Sequence, residues 1–169
     1  MKILSSFRAL LLLYSGAFAL HGEILSLNIT ISGMDCASCV TGLETKLKRM
    51  RGVQSAELKP EKNLAILQLS QGNTIRLERI RDEIKGVGFT PKEAVISALG
   101  RASQDQGIWS FTVEGTNQKF LLSPLEPGIA RHLNPGKLIR IEALQSTPAP
   151  SMEPTLELKS LSAVPSSVL

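Results

Sequence analysis

Apolar and polar residues alternate strictly from Leu25 onward. Leu25, Leu27, Ile29 and Ile31 are separated by Ser26, Asn28, Thr30 and Ser32, which predicts a half-buried strand. Gly33 interrupts the pattern and a short cysteine-containing loop follows. The period then changes: Val40, Leu43, Leu47 and Met50 recur at helical offsets, and Gly52 stands where a helix C-cap belongs. Val53–Leu58 suits a short strand, "KPEKN" a turn, and Leu64–Leu69 a nearly continuous apolar strand. Leu77, Ile80, Ile84 and Val87 repeat the helical offsets, with Gly86 and Gly88 ending the helix, and Thr90–Ile96 gives another strand.

The order strand–helix–strand therefore occurs twice. Such a chain forms an antiparallel sheet with both helices on one face, an α+β sandwich of the ferredoxin-like kind. Beyond Ile96 the helical period disappears. "GRASQDQG" (residues 100–107) is polar and bounded by glycines, and is expected to be a linker. Trp109, Phe111 and Val113 then alternate with polar residues, "EGTNQ" turns, and Lys119–Leu122, Leu138–Ala143 and Leu156–Leu161 follow as short strands. Residues 108–161 are thus expected to form a small all-β region, faintly similar to OB-like barrels. Residues 162–169 are expected to be a disordered tail.

Residues 1–19 read as a signal peptide. Lys2 and Arg8 precede the apolar run Ala9–Leu20, and "AFA" offers small residues for cleavage after Ala19. A spanning helix needs roughly 20 apolar residues, and this run is stopped by His21, Gly22 and Glu23, although an uncleaved anchor stays open. The expected location is periplasmic or secreted, with no stable membrane span after cleavage. Removing Lys2 and Arg8 would lower the formal charge from +4 to +2. A mixed charge pattern and 4% aromatic residues argue against a nucleic-acid partner. Neither a phosphate loop nor a pair of catalytic carboxylates is present, and no base accompanies Ser110 or Ser123, so no enzymatic activity is expected.

The candidate chemistry lies in "GMDCASC", which holds both cysteines of the chain, Cys36 and Cys39. A bridge between them would close almost no loop and add little stability. A dithiol at a helix start suits either metal binding or thiol–disulfide exchange, the second disfavoured by the lack of Trp-Cys-Gly-Pro-Cys surroundings. Cys39 is expected in the first helical turn, where free N–H groups and the helix dipole favour negative sulfur. Two thiolates alone satisfy Cu(I) or Hg(II), whereas Zn(II) asks for more ligands.

Gly33, Met34, Cys36 and Cys39, set between a strand and a helix, resemble the Gly-Met-x-Cys-x-x-Cys motif of the heavy-metal-associated domain family. The family includes copper chaperones, N-terminal domains of metal-exporting ATPases and the periplasmic mercuric-ion-binding protein. The resemblance covers about residues 25–99, and the domain is placed at residues 24–99. It implies that Cys36 and Cys39 bind one soft ion for transport, transfer or detoxification, Cu(I) being favoured and Zn(II) or Hg(II) allowed. A metal transporter or another metal-binding domain is the implied partner. Met34 then lies in the core and Phe89 packs against the cysteine loop. Asp35 stands where copper-binding members carry an uncharged residue, so it is either a third ligand for a divalent ion or a solvated loop carboxylate. His21 and His132 lack the spacing of a metal cluster. The cluster Lys46, Lys48, Arg49 and Arg51 reads as a solvated helix side, or as a docking face for an acidic partner.

Overall fold

The computed structural model describes residues 23–113, 115–147 and 153–164. The expected signal peptide, His21 and the end of the expected tail lie outside these residues. Strand β1 (Ile24–Ser32) leads through the cysteine loop into helix α1 (Ala37–Lys48). Strands β2 (Val53–Lys59) and β3 (Leu64–Leu69) form a hairpin around a 3₁₀ turn, Pro60–Lys62, with Asn63 in the left-handed region. Helix α2 (Leu77–Gly86) precedes the 16-residue strand β4 (Thr90–Asp105). The strand order β2-β3-β1-β4, antiparallel throughout, is the ferredoxin-like sheet. Leu27, Ile29 and Ile31 of β1 are fully buried, as are Leu43, Leu47, Leu77, Ile80 and Ile84 of the two helices. A register shift between Ile24 and Ser26 turns Ile24 into the core as well, which strict alternation does not foresee.

The expected linker does not exist. Residues 100–105 are the second half of β4, and Gln106 and Gly107 make the turn into strand β5 (Ile108–Val113). Both turn residues have positive φ, 47° and 84°, the backbone of a tight two-residue hairpin whose twist matches the strands. The polarity that suggested a linker arises because Arg101, Ser103 and Asp105 project to solvent, while Ala102 is fully buried on the other face.

Strands β6 (Gln118–Leu122), β7 (Leu138–Gln145) and β8 (Thr155–Ala163) complete the β region, with a one-turn helix α3 (Pro127–Ala130) between β6 and β7. Strand β8 extends into the expected tail, Ser162 and Ala163 pairing with β7. The order β4-β5-β6-β8-β7 returns to β4, because β7 pairs with Ala94–Arg101. The contact β6–β8 is parallel and the others are antiparallel. This is a five-stranded closed barrel with OB-like connectivity. The chain is therefore an α+β ferredoxin-like sandwich followed by a small β-barrel, and the two share β4.

Ala94–Ala98 are paired on both sides, with β1 and with β7. On the core face of β4 stand Ala94, Ile96, Ala98, Gly100 and Ala102, all buried. Ile96 lies beside Leu27 on one edge and Ala143 on the other, so the layer under the helices runs directly into the barrel interior. Four of these five residues are small, leaving room for Phe111 and Phe120 from the facing strands, which are essentially fully buried. A Cβ at Gly100 would meet Thr112 O at 2.3 Å and Phe111 Cζ at 2.6 Å.

Polar contacts fasten α2 to the barrel. The Leu77 N–H, one of the donors a helix start leaves unpaired, donates to Gln118 Oε1 of β6 at 3.2 Å. Gln118 Nε2 donates to both oxygens of Glu78, at 2.6 and 2.7 Å. Arg81 is buried and donates to Gln145 Oε1 of β7 at 2.9 Å and to the Lys92 carbonyl at 2.6 Å. Burial pushes the Arg81 guanidinium below its ordinary value, partly countered by the Glu78 charge.

Three stability outcomes are expected. Gly100→Ala forces β4 and β5 apart and lowers unfolding free energy by about 1–3 kcal/mol, the range for overpacked cores. Gly128→Ala in α3, where no atom lies within 4 Å of the added carbon, is nearly neutral, and denaturant melts of both variants test the difference. Gln118→Leu leaves the Leu77 N–H buried without a partner and costs about 1–3 kcal/mol in the same melts.

Candidate metal centre

The cysteine loop begins where β1 leaves the sheet. Gly33 turns the chain at φ +92°, and a Cβ there would lie 3.8 Å from Phe89 Cδ1. Met34 is 6% exposed and enters the core, so its thioether serves packing and not the loop surface. Phe89 is likewise 6% exposed and follows Gly88, whose φ is +96°. Met34 and Phe89 are thus anchored in the core while Asp35, Cys36, Ala37, Ser38 and Cys39 stand exposed.

Cys36 is the N-cap of α1, in extended conformation at φ −107° and ψ 109°. Its sulfur accepts the Cys39 N–H at 3.3 Å, as a Ser or Asp oxygen does at ordinary caps. Its carbonyl accepts the Val40 N–H at 3.0 Å. Ser38 Oγ lies 3.2 Å from the same sulfur. Spacing already places Cys39 in the first turn; the capping role of Cys36 and the nearby Ser38 hydroxyl emerge only from the fold. An N–H donor and the positive end of the helix dipole both stabilise negative charge on Cys36.

The two sulfurs are joined as a disulfide, with the Cα atoms 5.3 Å apart. This is the oxidised form of the loop. Reduction leaves two thiols converging from the N-cap and the first turn, the donor set that suits a soft ion in two-coordinate geometry. Asp35 is exposed, and among the described residues no group of three or more His, Cys, Asp or Glu side chains comes together. The carboxylate therefore does not converge with the sulfurs in this conformation. His132 follows α3 in an exposed turn, remote in sequence from the loop and part of no cluster.

The basic cluster divides. Lys46 bridges to Glu83 of α2 at 2.8 Å and Lys48 pairs with Glu44 one turn back, so both help to hold helices, while Arg49 and Arg51 are exposed. No helix among the described residues is long and apolar enough to cross a membrane. Sequence reading missed Gln118, Gln145 and Arg81. Their partners are 40, 64 and 11 residues away, and no local pattern marks such contacts.

Comparison with known proteins addresses the first half of the chain. Residues 28–90 match the model of the heavy-metal-associated domain. The copper chaperone CopZ of Staphylococcus haemolyticus (strain JCSC1435) is 30% identical over 64 residues, which are 38% of this chain and 93% of that protein. Among solved structures, a copper binding domain from HMA7, a P-type ATPase, is 28% identical with a TM-score of 0.38, covering 40% of this chain and 90% of the other. The yeast copper transporter domain CCC2A is 21% identical with a TM-score of 0.37, again covering 40% and 90%. The CopZ match takes in nearly the whole of that protein, and by it the chain belongs to the heavy-metal-associated domain family.

Proposed function

We propose that this protein binds one soft metal ion as cargo, Cu(I) by preference, through the reduced sulfurs of Cys36 and Cys39, and passes it to a partner's thiolates. The convergence of the two cysteines on one exposed loop at a helix start carries this reading. The donor set fits: two sulfurs complete the shell of Cu(I), which is indifferent to the lack of an oxygen ligand. The copper chaperone and copper-binding relatives support the same ion. Exposure of both cysteines lets an incoming thiolate add to the ion before the outgoing sulfur leaves, so the ion is never bare. Partners of this chemistry are a metal transporter or a second metal-binding domain. The disulfide must first take up two electrons and two protons from a thiol reductant, which makes loading conditional on reduction.

Export is part of the proposal and rests on the basic start and apolar run of residues 1–20. In an oxidising compartment the pair would then hold metal or close to the disulfide. The disulfide favours one second reading, thiol–disulfide exchange. An insulin-reduction assay separates the two: turnover at the rate of a dedicated oxidoreductase would replace the metal reading.

Titration of the reduced full chain with Cu(I) against a chromophoric chelator is expected to give one ion per chain. The oxidised chain and the reduced Cys36→Ser/Cys39→Ser variant are expected to take up none, and unchanged stoichiometry in that variant would remove both cysteines from the site. Asp35→Thr is expected to leave Cu(I) affinity unchanged. In the reduced loop, Zn(II) affinity should fall roughly tenfold, since only the harder ion recruits the neighbouring Asp35 oxygen. Competition of the two ions for wild type and variant measures this.

A further inference from the structure

A concave surface lies at the other end of α1 from the exposed cysteines. A cavity of ≈ 410 Å³ opens between the segment after α1 and the start of α2, lined by Met50, Arg51, Thr74, Ile75, Arg76 and Arg79. Twelve residues of α1 separate it from the cysteine loop, about 18 Å along the helix axis. Its size falls in the range of about 300–1,000 Å³ that small-molecule sites occupy.

Three of the six lining residues are arginines and none is acidic. Arg51 has no ion-pair partner among the described residues. Each of the two nearby carboxylates is shared between a cavity arginine and a partner outside the cavity. Glu83 is shared, its Oε1 with Arg79 at 3.1 Å and its Oε2 with Lys46 at 2.8 Å, so two cations face one acid. The Lys46 hydrogen bond, with further help from Arg79, holds the Glu83 carboxyl below its usual range despite some desolvation. Glu78 lies 3.6 Å from Arg76, but both its oxygens accept Gln118 Nε2, which draws the carboxylate toward the barrel. The cavity thus keeps an excess of positive charge.

The wall beside it is also pre-built. Ile75 is buried, its N–H donating to Asn73 Oδ1 at 3.2 Å, and Asn73 Nδ2 donates to the Ile24 carbonyl at 2.8 Å. Segment 73–76 is therefore tied to β1, and a ligand would not have to order it. Arg76 and Arg79 are more than half exposed, so their ion pairs with Glu78 and Glu83 are weak and exchange readily for a better acceptor. Guanidinium forks are suited to bidentate oxyanions, and the Thr74 hydroxyl can add a donor.

We propose that this cavity binds a small oxyanion carrying two or more negative charges, a phosphate or carboxylate compound, independently of the metal at the cysteines. The test is an NMR titration of the ¹⁵N-labelled full chain with inorganic pyrophosphate and, separately, citrate at constant ionic strength. Saturable shifts concentrated at residues 50–51 and 74–79 are expected with at least one probe. The probe that binds more tightly assigns the phosphate or the carboxylate class. Arg51→Gln/Arg79→Gln should weaken binding at least about tenfold, because two charge-assisted contacts are lost. Both positions are exposed, and an unchanged melting curve shows that the variant folds. Non-saturating shifts spread over all Lys and Arg residues, or wild-type affinity in the folded variant, would overturn the proposal.

Discussion

One strand hydrogen-bonded along both edges holds this structure together. In a four-stranded ferredoxin-like sheet of order β2-β3-β1-β4, the last strand would present an open row of backbone donors and acceptors, a template for unwanted pairing. Here β7 covers that row from Ala94 to Arg101, while β1 holds the other edge up to Ala98. The same strand then continues to Asp105 as the first strand of the barrel. Barrel and sandwich are therefore not beads on a string. They share backbone hydrogen bonds and one uninterrupted core.

The composition of β4 follows from that position. Its core face must meet the helix layer at one end and close-packed barrel strands at the other, and small residues alternate there to admit Phe111 and Phe120. Gly100 is the extreme case, with the Thr112 carbonyl and the Phe111 ring in the space a side chain would need. Helix α2 reinforces the union from outside. Gln118 and Gln145 reach back from the barrel to Leu77, Glu78 and Arg81, so the helix that leads to Phe89 is anchored to the barrel near its start. Loss of the barrel would expose both a sheet edge and a buried cation.

The two ends of the helix layer carry opposite chemistry. At the start of α1 an exposed loop offers two soft sulfurs, supported from below by Met34 and Phe89 and polarised by the helix dipole. At the start of α2 three arginines surround a cavity of hard donors. The length of the helices separates these two ends. In the oxidised loop Asp35 is exposed next to the sulfurs in sequence and joins no cluster with them.

Residues 24–96 were largely legible because their elements follow from local periodicity. Alternation marks β1, offsets of three and four mark both helices, and Gly86 and Gly88 end α2; the loop motif pointed to Cys36 and Cys39 for the same reason. Helix α1, by contrast, stops at Lys48 with Arg49 as its cap, three residues before the expected Gly52. The stretch 100–107 was misleading, because a strand with one solvated face and a two-residue turn has the composition of a linker. What the sequence determined by itself was the order of elements, the inward-facing residues and the dithiol at a helix start, all set by contacts a few residues apart. Only tertiary structure decided that β4 has two partners, that the barrel closes and that arginines from the turn after α1 and the start of α2 share a cavity. Those outcomes depend on pairings between residues tens of positions apart, and no local pattern in the chain encodes them.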